Sequence, residues 1–258
     1  RMGTLKYAVI TLISGILLMY LNSTTWLWID KYAKRIGGLV LPWSYTINSI
    51  RYQAQQLEHS KKQELLPAAT IKNNNKMVVV LVIGESARVG NFSLYGYQRE
   101  TNPELKKLDV LSLKNTSASA TYTTASVHSM LSYKGDTSDN YEPLPNYLQR
   151  TGVDVIWRSK NWGEPTLKIQ TYERDTDLKA SCKGDDCDMD GVLLTGLKER
   201  IISSKQNKVF VVLHTSGSHG PTYYTKYPSR FEIFKPGCKT VELKECSQQQ
   251  LVNSYDNT

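Results

Sequence analysis

Four residues have types and settings that suit phosphoryl chemistry. Glu85 closes the apolar run MVVVLVIGE, and a carboxylate there is costly unless it is paired or holds a metal ion. Thr123 lies in TYTT (121–124), just ahead of a helical pattern. A hydroxyl is a poor nucleophile until a base or metal lowers its pKa. At a helix N-terminus, free N–H groups and the helix dipole also favour a phosphate. Thr121 and Thr124 compete for the same role. His214 and His219 lie in LHTSGSHGP (213–221), where Gly217 and Gly220-Pro221 make a turn that could present His219 to zinc or phosphate. Each residue also has a plainer account: Glu85 as an ion pair or helix cap, Thr123 as a simple cap, and the histidines as surface residues.

The elements that must position them alternate between strand and helix. Met77–Ile83 is a continuous β-branched run and predicts a strand buried on both faces. Asn102-Pro103 opens a short helix, with Pro at its first position. Val110–Leu113 predicts a short strand, Thr124–Ser132 a helix, Leu144–Arg150 a helix stopped by Gly152, and Val153–Trp157 a strand. Asp190–Ser203 has an amphipathic stripe of Leu193, Leu194, Leu197 and Ile201. Val209–Leu213 predicts a buried strand, and Ser247 caps a last helix. This order implies an α/β fold with a mostly parallel sheet covered on both faces. Ligands bind such sheets beyond the carboxyl ends of the strands. Gly84-Glu85-Ser86 follows the first strand, Thr121–Thr124 the second, and His214 with His219 the strand at 209–213.

The formal net charge of the 258-residue chain is +8. Its Lys and Arg are scattered, which argues against a nucleic-acid partner and suits a surface facing anionic lipid. The cysteines form two close pairs in polar sequence, Cys182/Cys187 and Cys238/Cys246, which suggests two disulfide-closed loops and an oxidising compartment. The rival, a zinc site, lacks C-x2-C spacing and would join distant pairs.

Tyr7–Ile29 carries no charge until Asp30 and is long enough to span a bilayer, with Trp26 and Trp28 at the interface. A cleaved signal peptide or a buried helix would be the alternatives, but no small-residue cleavage site is evident. Residues 1–30 are therefore expected to be a transmembrane anchor. Residues 31–76 are expected to be a connector, and 77–258 a catalytic domain. Within the connector, Trp43–Ser60 predicts a helix, either lying on the membrane or plainly at the surface.

The blocks IGESARVGNFSLYGYQRETNP (83–103), TYTTASVHSM (121–130), HTSGSHGP (214–221) and NSYDN (253–257) together resemble the phosphoethanolamine transferases. That family belongs to the alkaline-phosphatase-like superfamily and includes the mobile colistin-resistance enzymes. The resemblance implies an alkaline-phosphatase/sulfatase-like α/β/α sandwich behind transmembrane helices, anchored in the inner membrane with the catalytic domain in the periplasm. It implies zinc as cofactor, phosphatidylethanolamine as donor, and lipid A or lipooligosaccharide as acceptor, a change that weakens binding of cationic peptides such as polymyxin. Glu85 matches a zinc ligand, Thr123 the nucleophile and a second ligand. Asn161 and His219 match positions that hold the phosphoethanolamine group or an additional zinc. Cys182/Cys187 and Cys238/Cys246 match two disulfides.

The sequence departs from the pattern in places. Ser119 and Ser129 stand where many relatives have a third disulfide, and a substrate-binding Lys has no clear match, although Lys168 is near. The family's Asp-His zinc ligands fall after NSYDN, beyond Thr258. With only two ligands in these residues, the expectation is weak zinc binding and no activity from them alone. Two other readings remain: a different superfamily enzyme, such as a phosphoglycerol transferase or sulfatase, or a lipid-binding membrane protein without catalysis.

Overall fold

A computed structural model describes residues 2–20, 43–60, 62–137 and 140–258. The chain divides into two units, residues 1–60 and 61–258. In the first unit, α1 (Met2–Tyr20) and α2 (Trp43–Ser60) are the described elements. Among the described residues no helix is long and apolar enough to cross a membrane. The span expected at Tyr7–Ile29 runs past Tyr20, so its second part, with Trp26 and Trp28, lies outside the described residues. Ile47 and Ile50 of α2 are exposed.

The second unit is an α/β domain. In chain order it contains β1 (Met77–Ile83), α3 (Pro103–Lys106), α4 (Thr123–Leu131), α5 (Leu144–Arg150), β2 (Asp154–Ser159), β3 (Thr171–Arg174), α6 (Asp175–Lys179), α7 (Leu197–Ile202), β4 (Lys208–His214) and α8 (Gln248–Asp256). The four strands run parallel in the order β1-β4-β2-β3. Successive side chains of a strand point to opposite faces. On one face Val155, Trp157, Phe210 and Val212 pack with Ile83 and with Val127 and Leu131 of α4. On the other, Ile156, Val209, Val211 and Leu213 pack with Leu178 of α6, Val192, Leu193 and Leu197 of α7. Burying one such side chain contributes roughly 1.5–3 kcal/mol relative to exposure.

The strand register determines where the site falls. Ile83, His214 and Ser159 lie level across β1, β4 and β2. The segments that leave these strands therefore emerge at one edge, carrying Glu85, Thr215 and Asn161. The segment before β1 is bound to the same unit. Glu64 bridges Tyr141, Leu66 N–H donates to Glu142 at 2.8 Å, and Arg150 donates to both Glu142 and the Leu66 carbonyl.

Several sequence expectations are corrected. β1 is not buried on both faces: Val78, Val79, Val80 and Val82 are exposed, and only Ile83 is fully buried. Among the described residues it has β4 on one side and no strand on the other, while the helices gather over β4 and β2. Val110–Leu113 forms no strand: among the described residues it pairs with no other segment, and Leu111 is 89% exposed. The single helix expected at Asp190–Ser203 is a 3-10 turn (Asp190–Leu194) followed by α7. Gly196 separates them with φ +59°, a left-handed conformation that ends helical repetition. The short β3 and α6 were not expected. The helices at α3, α4, α5 and α8 and the strands β2 and β4 fall where the sequence places them, within one or two residues.

Candidate active site

Thr123 is the first residue of α4, after an extended Tyr122 that provides no side-chain cap. No strand precedes it, so the helix rather than a strand end delivers it to the sheet edge. The anchoring comes from Ala125, Val127 and Leu131, all buried. Gly163 also matters here. It has φ +91°, and a Cβ on it would come within 2.9 Å of Thr124 Oγ1 and 3.1 Å of the Thr124 backbone. Its missing side chain lets the loop after Asn161 close against the start of α4.

Thr123 Oγ1 donates to Glu85 Oε2 at 2.7 Å. Of the three candidate threonines, this one meets the carboxylate, while Thr121 and Thr124 are exposed. Glu85 also accepts from Asn161 Nδ2 at 3.1 Å and from Ser86 Oγ at 2.8 Å. Burial alone would raise the Glu85 pKa. The hydrogen bonds from Thr123, Ser86 and Asn161 and the field of His219 outweigh that, so its carboxyl titrates below the usual range. The group is an anion that is well supplied with donors.

Backbone around Glu85 is constrained from several sides. Ser86 takes φ +53°, unusual for a residue with a side chain. Tyr255 of α8 fixes it: its hydroxyl donates to the Ser86 carbonyl at 2.7 Å and accepts the Arg88 N–H at 2.8 Å. Gly217 has φ +44°, and a Cβ there would stand 2.8 Å from the Glu85 carbonyl oxygen. Ser218 N–H donates to that oxygen at 3.0 Å.

Asn161 is 2% exposed, and its amide also donates to the Thr215 carbonyl at 3.0 Å. It ties the end of β2 to the segment after β4 and to Glu85 at once. Beneath it, Ser159 Oγ donates to the Asn161 carbonyl and accepts the Asn161 N–H. His219 is half-buried. Its ring lies edge-on to Trp162, with centroids 5.4 Å apart. Nδ1 sits 2.8 Å from the Gly220 carbonyl, which can only accept. Nδ1 therefore carries the proton and Nε2 keeps the lone pair in the neutral ring.

His214, offered by the sequence as a candidate ligand, is placed elsewhere. It is fully buried in the floor of the sheet, edge-on to Trp157, with Nδ1 3.3 Å from Ser159 Oγ. Burial lowers its pKa despite nearby carboxylates. Lys168 also lies away from Glu85: its backbone N–H donates to Asn146, and its charge acts on Glu142. Both cysteine pairs are disulfides, Cys182–Cys187 and Cys238–Cys246, so the zinc alternative for them is excluded. Among the described residues no three His, Cys, Asp or Glu side chains gather as a metal cage.

The sequence blocks at 83–103 and 253–257 turn out to be one hydrogen-bonded unit. Asp256 accepts from Arg99, Tyr97 and Asn91, and Asn253 from Arg99. Their role is to hold the segment that leads away from Glu85.

A family model described as Sulfatase matches residues 77–258. The phosphoethanolamine transferase EptA of Helicobacter pylori is 41% identical over 246 residues, covering 92% of this chain and 46% of that protein. The integral membrane protein lipooligosaccharide phosphoethanolamine transferase A of Neisseria meningitidis superposes with a TM-score of 0.70 at 25% identity, over 99% of this chain and 50% of that one. The periplasmic domain of EcEptC from Escherichia coli, in complex with Zn, shares the fold at 23% identity and a TM-score of 0.57, over 74% of this chain and 59% of that one. The chain spans about half the length of the curated relative it matches over 246 residues. The matched span takes in the whole sheet and every residue around Glu85, and the chain belongs to the sulfatase family.

Proposed function

We propose that the full-length protein to which these residues contribute the nucleophile transfers phosphoethanolamine from phosphatidylethanolamine, through a covalent bond to Thr123, to lipid A or lipooligosaccharide. The observation that carries this reading is the 2.7 Å hydrogen bond from Thr123 Oγ1, at the start of α4, to the anionic Glu85. It is supported by the relatives, which are phosphoethanolamine transferases.

Zinc is the cofactor in this reading. The Glu85 carboxylate and the Thr123 oxygen are adjacent oxygen donors and suit two of the four positions of a tetrahedral site. When bound, zinc would lower the pKa of the Thr123 hydroxyl. That contribution is needed, because a carboxylate held below its usual pKa is a weak base. Glu85 orients the hydroxyl instead. Asn161 fixes Glu85, and His219 presents a nitrogen lone pair at the same edge for the ammonium of the phosphoethanolamine group or for an additional zinc.

The Thr123 oxygen attacks phosphorus, and the bond from phosphorus to the glycerol oxygen breaks. Diacylglycerol leaves with a proton. A phosphate or hydroxyl oxygen of the acceptor then attacks the same phosphorus, the bond from phosphorus to the Thr123 oxygen breaks, and the Thr123 hydroxyl regains a proton from the acceptor hydroxyl or from water. Both substrates are lipids, which suits a chain anchored in the inner membrane through residues 1–30, joined by a connector (31–76) to a catalytic domain (77–258) in the periplasm. The two disulfides suit that compartment.

Intact-mass measurement after incubation with phosphatidylethanolamine and zinc tests the reading. A phosphoethanolamine adduct is expected on the full-length protein, residues 1–258 by themselves being expected inactive, and none on its Thr123→Ala variant. An adduct that persists in Thr123→Ala rejects Thr123 as nucleophile.

A further inference from the structure

We infer that Asp190 is a positioning residue for this site, acting through the turn at 216–219. Asp190 opens the 3-10 turn that precedes α7 and lies close behind the Cys182–Cys187 disulfide. Its two carboxylate oxygens are both used, one on each of two adjacent backbone N–H groups: Ser216 at 2.9 Å and Gly217 at 2.8 Å. Successive N–H groups that point the same way form a small anion-binding concavity. An internal carboxylate fills this one.

The turn so held touches the site on both sides. Gly217 backs onto the Glu85 backbone, where even a methyl group would collide. Ser218 N–H donates to the Glu85 carbonyl, and His219 N–H donates to the Ser216 carbonyl at 3.2 Å. One carboxylate thereby sets the spacing between Glu85 and His219. Asp190 is itself carried on a braced support. Arg230 forks onto Asp185 and Asp186, and Met189 N–H donates to the Asp186 carbonyl at 2.9 Å. Gly191 packs against Asp186 so closely that a Cβ would stand 2.5 Å from it.

The chemistry distinguishes Asp190 from an ordinary packing residue. Asparagine has nearly the same shape, but only one of its terminal atoms accepts. Its amide NH2 would face a second N–H, donor against donor. Asp190→Asn should therefore disturb the turn with little change in volume. Loss of charge-assisted bonds of this kind corresponds to roughly 10–100-fold in a local opening equilibrium. A displacement of about 1 Å at a reacting centre can cost roughly 100-fold in rate.

The inference rests on the transferase reading only for its activity arm. The test uses the full-length protein in detergent and compares native protein with Asp190→Asn and Asp188→Asn. Asp188 is a surface partner of Lys179 and serves as the control. Three quantities are read: amide hydrogen exchange at Ser216 and Gly217, the ring nitrogen shifts of His219, and the rate of Thr123 labelling by phosphatidylethanolamine. In Asp190→Asn, exchange at the two amides should quicken roughly 10–100-fold. The His219 signals should move, and labelling should fall by roughly 100-fold. Exchange at Val211 and Val212 in the sheet should stay as it was, and Asp188→Asn should change nothing. Unchanged exchange at Ser216 and Gly217 would overturn the inference. So would an equal rise at Val211 and Val212, which would mean general loosening. If the full-length native protein takes no label, the transferase reading fails and the exchange and His219 arms still decide the role of Asp190. Should Asp190→Asn not fold, Asp190→Glu keeps the charge and shifts it by one methylene. It is expected to show the same local pattern at smaller size, and native exchange there would overturn the inference equally.

Discussion

Thr123 and Glu85 stand 38 positions apart, yet the Thr123 hydroxyl donates to Glu85 Oε2 at 2.7 Å. This contact joins the start of α4 to the end of β1 and makes both residues answerable to one experiment. Thr123→Ala removes the attacking oxygen and should abolish transfer, while Thr123→Ser should keep a measurable fraction. Glu85→Gln removes the charge but preserves the shape. Transfer should fall by at least roughly 100-fold, the size of effect seen when one precise polar contact at a reacting centre is lost. Zinc retained after equilibrium dialysis should fall too. Wild-type transfer in Glu85→Gln would show that this carboxylate plays no part.

Gly217 tests how tightly the backbone encloses Glu85. Gly217→Ala places a methyl group in a left-handed conformation at a cost of about 1–2 kcal/mol. It also drives that methyl to 2.8 Å from the Glu85 carbonyl oxygen. Gly196→Ala is the matched control, because Gly196 has φ +59° and nothing within 4 Å of its missing Cβ. Denaturant unfolding should show the larger loss for Gly217→Ala, and only that variant should lose transfer. Equal losses for both would mean that conformation alone matters at 217.

Much of this was legible in the sequence, and the reasons are physical. β2 and β4 were found because strands flanked on both sides need uninterrupted apolar runs, VIW and VFVVL. Glu85, Thr123 and His219 lie in the blocks that carry the resemblance, and Asn161 was matched through the family pattern; the structure brings Thr123 and Asn161 onto Glu85. The failures have one cause, which is that tertiary neighbours decide. Among the described residues Val110–Leu113 has strand composition but no partner strand, and β1 has a core composition but one neighbouring strand. Asp190 looked like the start of an amphipathic helix, and nothing local marks a contact made 26 residues away. His214 looked like a ligand because a buried histidine and a presented one have the same letter. The one usable signal was its place as the last residue of an apolar run, level with Ile83.

Acid should destabilise the second unit in two stages. His214 has its pKa lowered by burial from 6.5. Its unfolded form takes a proton first, so stability present above about pH 6.5 is lost as pH falls toward the folded value. Glu142 and Asp154 come next. Burial opposes their ionisation, but Arg150 with the Leu66 N–H, and Arg200 with Ser204, hold both below their ordinary values of 4.5 and 3.8. Their contributions are present above those values and fall away as pH drops through the lowered ones. Thermal midpoints from pH 8 to 3 should decline in both windows. His214→Gln should flatten the first and leave the second, and an unchanged first window would assign it to another group.

Asp256 should be the most costly single carboxylate to remove. Its side chain has no exposed surface, and it accepts from Arg99 at 2.9 Å, Tyr97 at 2.8 Å and Asn91 at 2.6 Å. Burial and the Asp256 charge together raise the Tyr97 pKa, so that hydroxyl stays a donor across the working range. Asp256→Ala would leave the Arg99 charge with only the neutral Asn253 side-chain carbonyl as acceptor, and the Tyr97 and Asn91 groups without the Asp256 carboxylate. Breaking a buried pair from one side costs about 3–5 kcal/mol. Arg99→Ala should cost less, because Arg99 is partly exposed and its loss leaves two donors still on Asp256. A double-mutant cycle over Arg99 and Asp256, followed by urea unfolding, should therefore return a coupling well above the roughly 1 kcal/mol of an exposed pair. The consequence extends to the site. Tyr255, next in the chain, holds Ser86 in its left-handed conformation beside Glu85. Asp256→Asn, which keeps one acceptor, should retain the fold and lose part of the transfer activity. If it retains full activity, the packing of α8 against the 91–99 segment supports the fold without tuning Glu85.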